Sequence, residues 1–164
     1  RIEPVQTLSP QDLPRLARWG GVASMQPVHL LDDRTLADQL LGERAAGYYR
    51  LRSIHELGVR LGFGSDAPVA TADPWLGLKA AISRHRLPGE SPWFPAERLA
   101  PEVALAAYTR EAAAGLGWTQ TGRLESGCWA DMVVLDRDPL SCEDVAQTRV
   151  LRTIVGGTTV YLSR

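Results

Sequence analysis

Cysteine is scarce in this sequence, with only Cys128 and Cys142 among 164 residues. They form neither a Cys-x-x-Cys pair nor a disulfide framework, so free thiols in a reducing cytoplasm are expected. Long apolar runs are missing as well. None approaches the roughly 20 residues that a membrane-spanning helix needs. Neither sign of charge dominates: 18 Lys and Arg face 19 Asp and Glu, scattered along the chain, for a net charge of −1. A nucleic-acid surface would need a basic stripe, and there is none. Internal repeats and low-complexity segments are absent. No basic-then-apolar leader resembles a signal peptide. The first residue is Arg1 rather than Met and leads straight into a strand-like run, which reads as a fragment.

What is present looks globular. The residues are 45% hydrophobic and 23% charged, close to the average for soluble domains, and a chain of this length can bury roughly 70% of its unfolded surface. The first half alternates short apolar runs with helical patterns. Arg1–Gln6 reads as a strand, and Ser9-Pro10-Gln11-Asp12 supplies an N-cap, a first-turn proline and an acidic third position for a helix ending near Gly20. Gly21–Gln26 is the next strand, stopped by Pro27. A less regular stretch through Asp32-Asp33 then leads to a helix from about Glu43 to Leu57, closed by Gly58. Val59–Phe63 is the third strand, and Asp73-Pro74 opens a helix to about Arg84. Three strand-then-helix units imply a parallel sheet with crossover connections. Two helices follow a Pro- and Trp-rich loop, at about Pro101–Tyr108 and Arg110–Leu116. Beyond Gly117 the pattern turns to strands: Gly122–Gly127, Ala130–Leu135, then Val150–Val155 and Thr158–Leu162 around Gly156-Gly157. Two β-branched runs around a Gly-Gly pair signal a hairpin, because both turn positions can take positive φ.

Asp66 is the most pointed candidate for chemistry. It sits in FGSDAP, just past an apolar strand, where barrel side chains face an active site and glycines admit a ligand or metal. Its competing role is to cap the loop backbone before Pro68. His29 lies just past the preceding strand, in SMQPVH, and would project from the same end of the sheet. A lone loop histidine, however, is more often a surface or hydrogen-bonding residue. His55, inside a helical pattern, and His85, at a helix end, are assigned structural or surface roles. Cys128 has no histidine nearby in sequence and is not expected to be a nucleophile.

The runs RIEPVQTLSPQDLPRLARWGGVASMQPVHLLDD, LGFGSDAPVATADPWLGLKAAISRH, ALAAYTREAA, GRLESGCWADMVVLDRDPL and TIVGGTTVY closely resemble amidohydrolase family 3, the branch that includes N-substituted formamide deformylases. The motifs recur in order over nearly the whole chain. The resemblance implies the C-terminal part of a TIM barrel, about strands six to eight, in residues 1–120, and part of a composite β-sandwich in residues 121–164. It implies hydrolysis of C–N bonds in a small-molecule amide with a divalent metal, zinc being expected. By the same resemblance Asp66 corresponds to the acidic residue ending the eighth strand, which binds the metal and takes a proton from the attacking water. His29 corresponds to the histidine after the seventh strand, near the substrate.

One departure stands out. The family pattern at the sixth strand is Arg-Ile-Glu-His, whereas this chain reads Arg1-Ile2-Glu3-Pro4, replacing a ligand histidine by a residue without a side-chain donor. The other family ligands would lie upstream. The expectation is a segment inactive in isolation that self-associates or pairs with an upstream segment. The competing reading is a degenerate, non-catalytic module acting in self-association or partner binding. A flavodoxin-like α/β protein fits the βαβ order but leaves the terminal hairpin unexplained.

Overall fold

The computed structural model describes residues 1–163. The chain is a mixed α/β structure with two small, separate sheets. Helix α1 (Leu13–Trp19) precedes strand β1 (Val22–Met25), helix α2 (Pro27–Leu41), helix α3 (Leu51–Glu56), strand β2 (Arg60–Phe63) and helix α4 (Pro74–Ser83). Helices α5 (Pro101–Tyr108) and α6 (Arg110–Gly115) lead to strands β3 (Met132–Leu135), β4 (Val150–Val155) and β5 (Thr158–Leu162).

β1 and β2 are parallel, with Val22 opposite Arg60 and Met25 opposite Phe63. The segment after Arg1 runs along the other edge of β1. Ile2 bridges Ala23 in the parallel sense, and the Val5 amide donates to the Ser24 carbonyl at 3.0 Å. The expected first strand is thus present as a bridge rather than a full ladder, since Pro4 has no N–H to give. Alternation along β1 and β2 places Ala23, Met25, Leu61 and Phe63 on one face. They join Leu30, Leu51, Ile54, Leu78, Ala81, Ala104 and Ala107, from α2 to α5, in a single core. The opposite face, with Val22 and Gly62, receives α6. A Cβ on Gly62 would lie 3.0 Å from Val22 Cγ1 and 3.6 Å from Ala112 Cα, so the close approach depends on glycine there.

Several local expectations are corrected. The first helix is regular only from Leu13, three residues later than expected, but Ser9 Oγ accepts from the Asp12 amide at 3.3 Å as an N-cap does. Pro27 ends β1 but also opens α2, a 15-residue helix where an irregular stretch is expected. Proline is well suited to a first helical position, because its missing N–H has no partner there anyway. The helix expected over 43–57 is instead a 3₁₀ segment (Gly42–Gly47) followed by the short α3. Gly122–Gly127 forms turns rather than a strand. The terminal hairpin agrees with expectation: β4 and β5 pair antiparallel around Gly156 and Gly157, both at positive φ, in a sheet separate from β1 and β2.

Candidate active site

The loop Gly64-Ser65-Asp66-Ala67-Pro68 leaves the C-terminal end of β2. Asp66 has φ of 60°, the left-handed region that Asp enters more readily than most residues. The Val69 amide donates to the Asp66 carbonyl at 2.8 Å, and the Ala67 amide donates to Ser65 Oγ at 3.3 Å. This tight turn leaves the carboxylate itself uncommitted. Among the described residues no backbone N–H donates to it, contrary to a simple loop-capping role.

Its nearest ionisable neighbour is His29. The imidazole Nε2 lies 3.6 Å from Asp66 Oδ2, with the histidine side chain 14% exposed and the carboxylate 58% exposed. That separation exceeds a direct hydrogen bond but holds the two groups within electrostatic reach. His29 is not in a loop: it is the third residue of α2, and its amide donates to the Gln26 carbonyl at 3.1 Å. The sequence-predicted pair is therefore brought together at the C-terminal ends of β1 and β2.

A second polar group shares the strand system. Glu3 Oε1 accepts from Ser24 Oγ at 2.8 Å and from Gln26 Nε2 at 2.5 Å, and Arg1 Nε lies 3.4 Å from Glu3 Oε2. Glu3, Ser24, Gly62 and Gly64 line a cavity of about 210 Å³. Sequence reasoning missed this set. Its available signal was Ser24 and Gln26, two polar residues spaced by two in an apolar strand, which share one face. Nearby, the fully buried Tyr49 accepts at its hydroxyl from Gln6 Nε2 at 3.0 Å. Burial pushes its phenol well above the usual range, Gln6 opposes the shift, and the charges of Asp33 and Asp66 add to it.

The other histidines stay apart from this cluster, as expected. His55 is exposed in the last turn of α3. His85 follows α4 at the end opposite the Asp66 loop, roughly 15 Å along a ten-residue helix. There it lines a separate cavity of about 330 Å³ with Lys79, Cys142 and Asp144. Among the described residues, no three His, Cys, Asp or Glu side chains come together as a metal-binding group. Asp66 and His29 offer two donors where a catalytic zinc ordinarily takes three plus water, so a complete metal shell does not fit within these residues.

The sequence profile of the amidohydrolase family matches residues 1–161. The chain belongs to the amidohydrolase family. It is 37% identical to the protein LONG AFTER FAR-RED 3 of Arabidopsis thaliana over 166 residues, covering 98% of this chain and 28% of that protein. It is 34% identical to the N-substituted formamide deformylase of Arthrobacter pascens over 116 residues, covering 69% of this chain and 21% of that protein. A solved metal-dependent hydrolase from Pyrococcus furiosus, itself uncharacterized, superimposes with a TM-score of 0.73 at 31% identity, over 84% of this chain and 28% of that one. This amidohydrolase chain thus spans less than a third of each of these proteins and corresponds to the C-terminal portion of larger relatives.

Proposed function

We propose that the chain is the C-terminal segment of a metal-dependent amidohydrolase that cleaves C–N bonds in small amides, and that it does not turn over substrate by itself. The observation carrying this reading is the His29–Asp66 pair at the ends of adjacent parallel strands, in a chain of the amidohydrolase family. In this reading β1 and β2 are the seventh and eighth strands of a barrel, and the segment at Ile2 is the sixth. Residues 1–120 are the barrel part and 121–164 the sandwich part. The 31% identical hydrolase is described as metal-dependent, which supports a divalent metal in the complete protein; zinc follows from the family resemblance alone. Because the metal shell does not fit within these residues, their share of the chemistry is what they do themselves. Water adds to the amide carbonyl carbon, Asp66 accepts its proton, and that proton passes to the departing nitrogen as the C–N bond breaks. His29, 3.6 Å from that carboxylate, faces the substrate.

Pro4 supports a second reading, a degenerate module that binds a partner or its own copies. Both are tested by assaying a panel of N-acyl amino acids and N-substituted formamides, with and without zinc, against Asp66→Ala. The 164-residue chain should give no hydrolysis above background. Extended by its own upstream coding sequence, it should show zinc-dependent turnover that disappears in Asp66→Ala. Silence in the extended protein favours the degenerate module, and turnover by the short chain that Asp66→Ala abolishes overturns its inactivity.

A further inference from the structure

Among the described residues, four other than glycine have a left-handed backbone: Tyr49 (φ 50°), Asp66 (60°), Arg84 (55°) and Phe94 (48°). Aromatic and long side chains rarely adopt it, and such conformations persist only where the surroundings over-determine them. Asp66 belongs to the candidate site. Of the other three, Arg84 and Tyr49 meet at the Arg84 guanidinium, and Phe94 packs on Trp93, whose carbonyl that guanidinium also binds.

Arg84 has no exposed surface, the largest side chain buried to that degree. No carboxylate pairs with it among the described residues. Its Nε donates to the Trp93 carbonyl at 2.5 Å and its Nη1 to the Tyr49 carbonyl at 3.0 Å, while Nη2 has no partner. The Trp93 amide donates back to the Arg84 carbonyl at 2.8 Å, and the guanidinium carbon sits 5.9 Å from the Trp93 ring centroid. Phe94 packs on Trp93 with centroids 4.9 Å apart. Tyr49 passes the constraint onward: its amide donates to the Gln6 carbonyl at 2.7 Å, and its hydroxyl accepts from Gln6 Nε2. Gln6 lies two residues past Pro4, along the edge of β1 where that segment runs. Burying an unpaired charge is costly, and a plain core position would be filled by an apolar side chain. A planar fork reaching two carbonyls from separate loops is what arginine offers and lysine does not.

We propose that Arg84 is a positioning residue of the candidate site, fixing the left-handed turn at Tyr49 and, through Tyr49, the Gln6 end of the first parallel segment relative to His29 and Asp66. The proposal rests on reading His29 and Asp66 as a site, but its test needs no turnover. The test is carried out on the 164-residue chain with isotope-labelled histidine and glutamine, following the His29 imidazole and Gln6 side-chain amide resonances by NMR. Arg84→Ala should displace both sets of signals. Ethylguanidinium should return them to the wild-type positions, and ethylammonium should not. Arg84→Lys keeps the charge without the fork, so it should fold and still show displaced signals. The core substitution Leu78→Ala, in the helix that Arg84 caps, should displace them less than Arg84→Ala does. The proposal is overturned if Arg84→Ala or Arg84→Lys retains wild-type signals, if both cations restore them equally, or if Leu78→Ala displaces them as much. Hydrolysis data leave these outcomes unchanged, so failure of the amidohydrolase reading would be seen separately.

Discussion

At the scale of single residues, charges in this chain are placed where backbone groups or partner charges meet them. Glu97 is buried and accepts from the Ser53 amide at 3.0 Å and from Ser53 Oγ at 2.5 Å, closing the exposed amide end of α3. Lys79, on α4, reaches Asp144 Oδ2 at 3.0 Å, tying the parallel-sheet body to the loop before β4. Partial burial raises the Asp144 pKa, but the hydrogen bonds from Lys79 and the Ala146 amide outweigh it, and the net direction is down. A carboxyl lowered on folding adds stability above its unfolded pKa, about 4, and loses it as pH falls through the folded value. Asp144→Asn should therefore melt below the wild type at neutral pH, with the difference shrinking in acid below about pH 4. Thermal unfolding followed across pH would show this. A gap that stayed constant into acid would mean the ion pair is not its source.

At the scale of elements, the clearest features in the sequence were those with local physical causes. The α4 cap at Asp73 is one: its Oδ1 accepts from the Trp75 amide at 2.9 Å. The Gly156-Gly157 hairpin is another, because a glycine requirement is written at the position itself. α2 was not legible for the opposite reason. Its Asp32-Asp33 pair and its exposed Leu36 and Leu40 blur the helical stripe. Its acidic residues are satisfied from far along the chain, Asp33 by the Tyr48 hydroxyl at 2.7 Å and Asp38 by Trp93 Nε1 at 2.9 Å. The meeting of His29 and Asp66 was legible as two strand ends in consecutive units, whereas Arg84 could not be found, since a helix-end arginine normally reads as solvated. Gly122 gives an element-scale prediction. With φ of +80°, an added Cβ would sit 2.7 Å from Arg110 Cα and 2.8 Å from the Thr109 carbonyl, against the start of α6. Gly122→Ala should cost about 1–3 kcal/mol, measurable by urea unfolding. A neutral result would mean that the 117–123 turn moves aside freely.

For the whole molecule, the decisive contrast is between its two sheets. β1 is buried along its length, whereas β5 is exposed at every residue and Val133, Val155, Val160 and Leu162 lie open. The β5 edge, Thr158 to Leu162, carries no charge or proline to discourage pairing. The purified chain should associate, with a light-scattering mass above the 17.9 kDa of one copy that rises with concentration, and Val160→Lys should lower it. A mass fixed at one copy over the whole concentration range would count against this.

The Gly156-Gly157 turn also sets a timetable for folding. It brings neighbouring segments together over two residues, and hairpins of that kind close in about 1–10 μs. β1 and β2 align residues 38 positions apart, Val22 with Arg60, so their contact waits on a long loop closure and the packing of the helices between. The hairpin can thus close before β1 and β2 meet, and the crossover that delivers Asp66 to His29 is expected to form later.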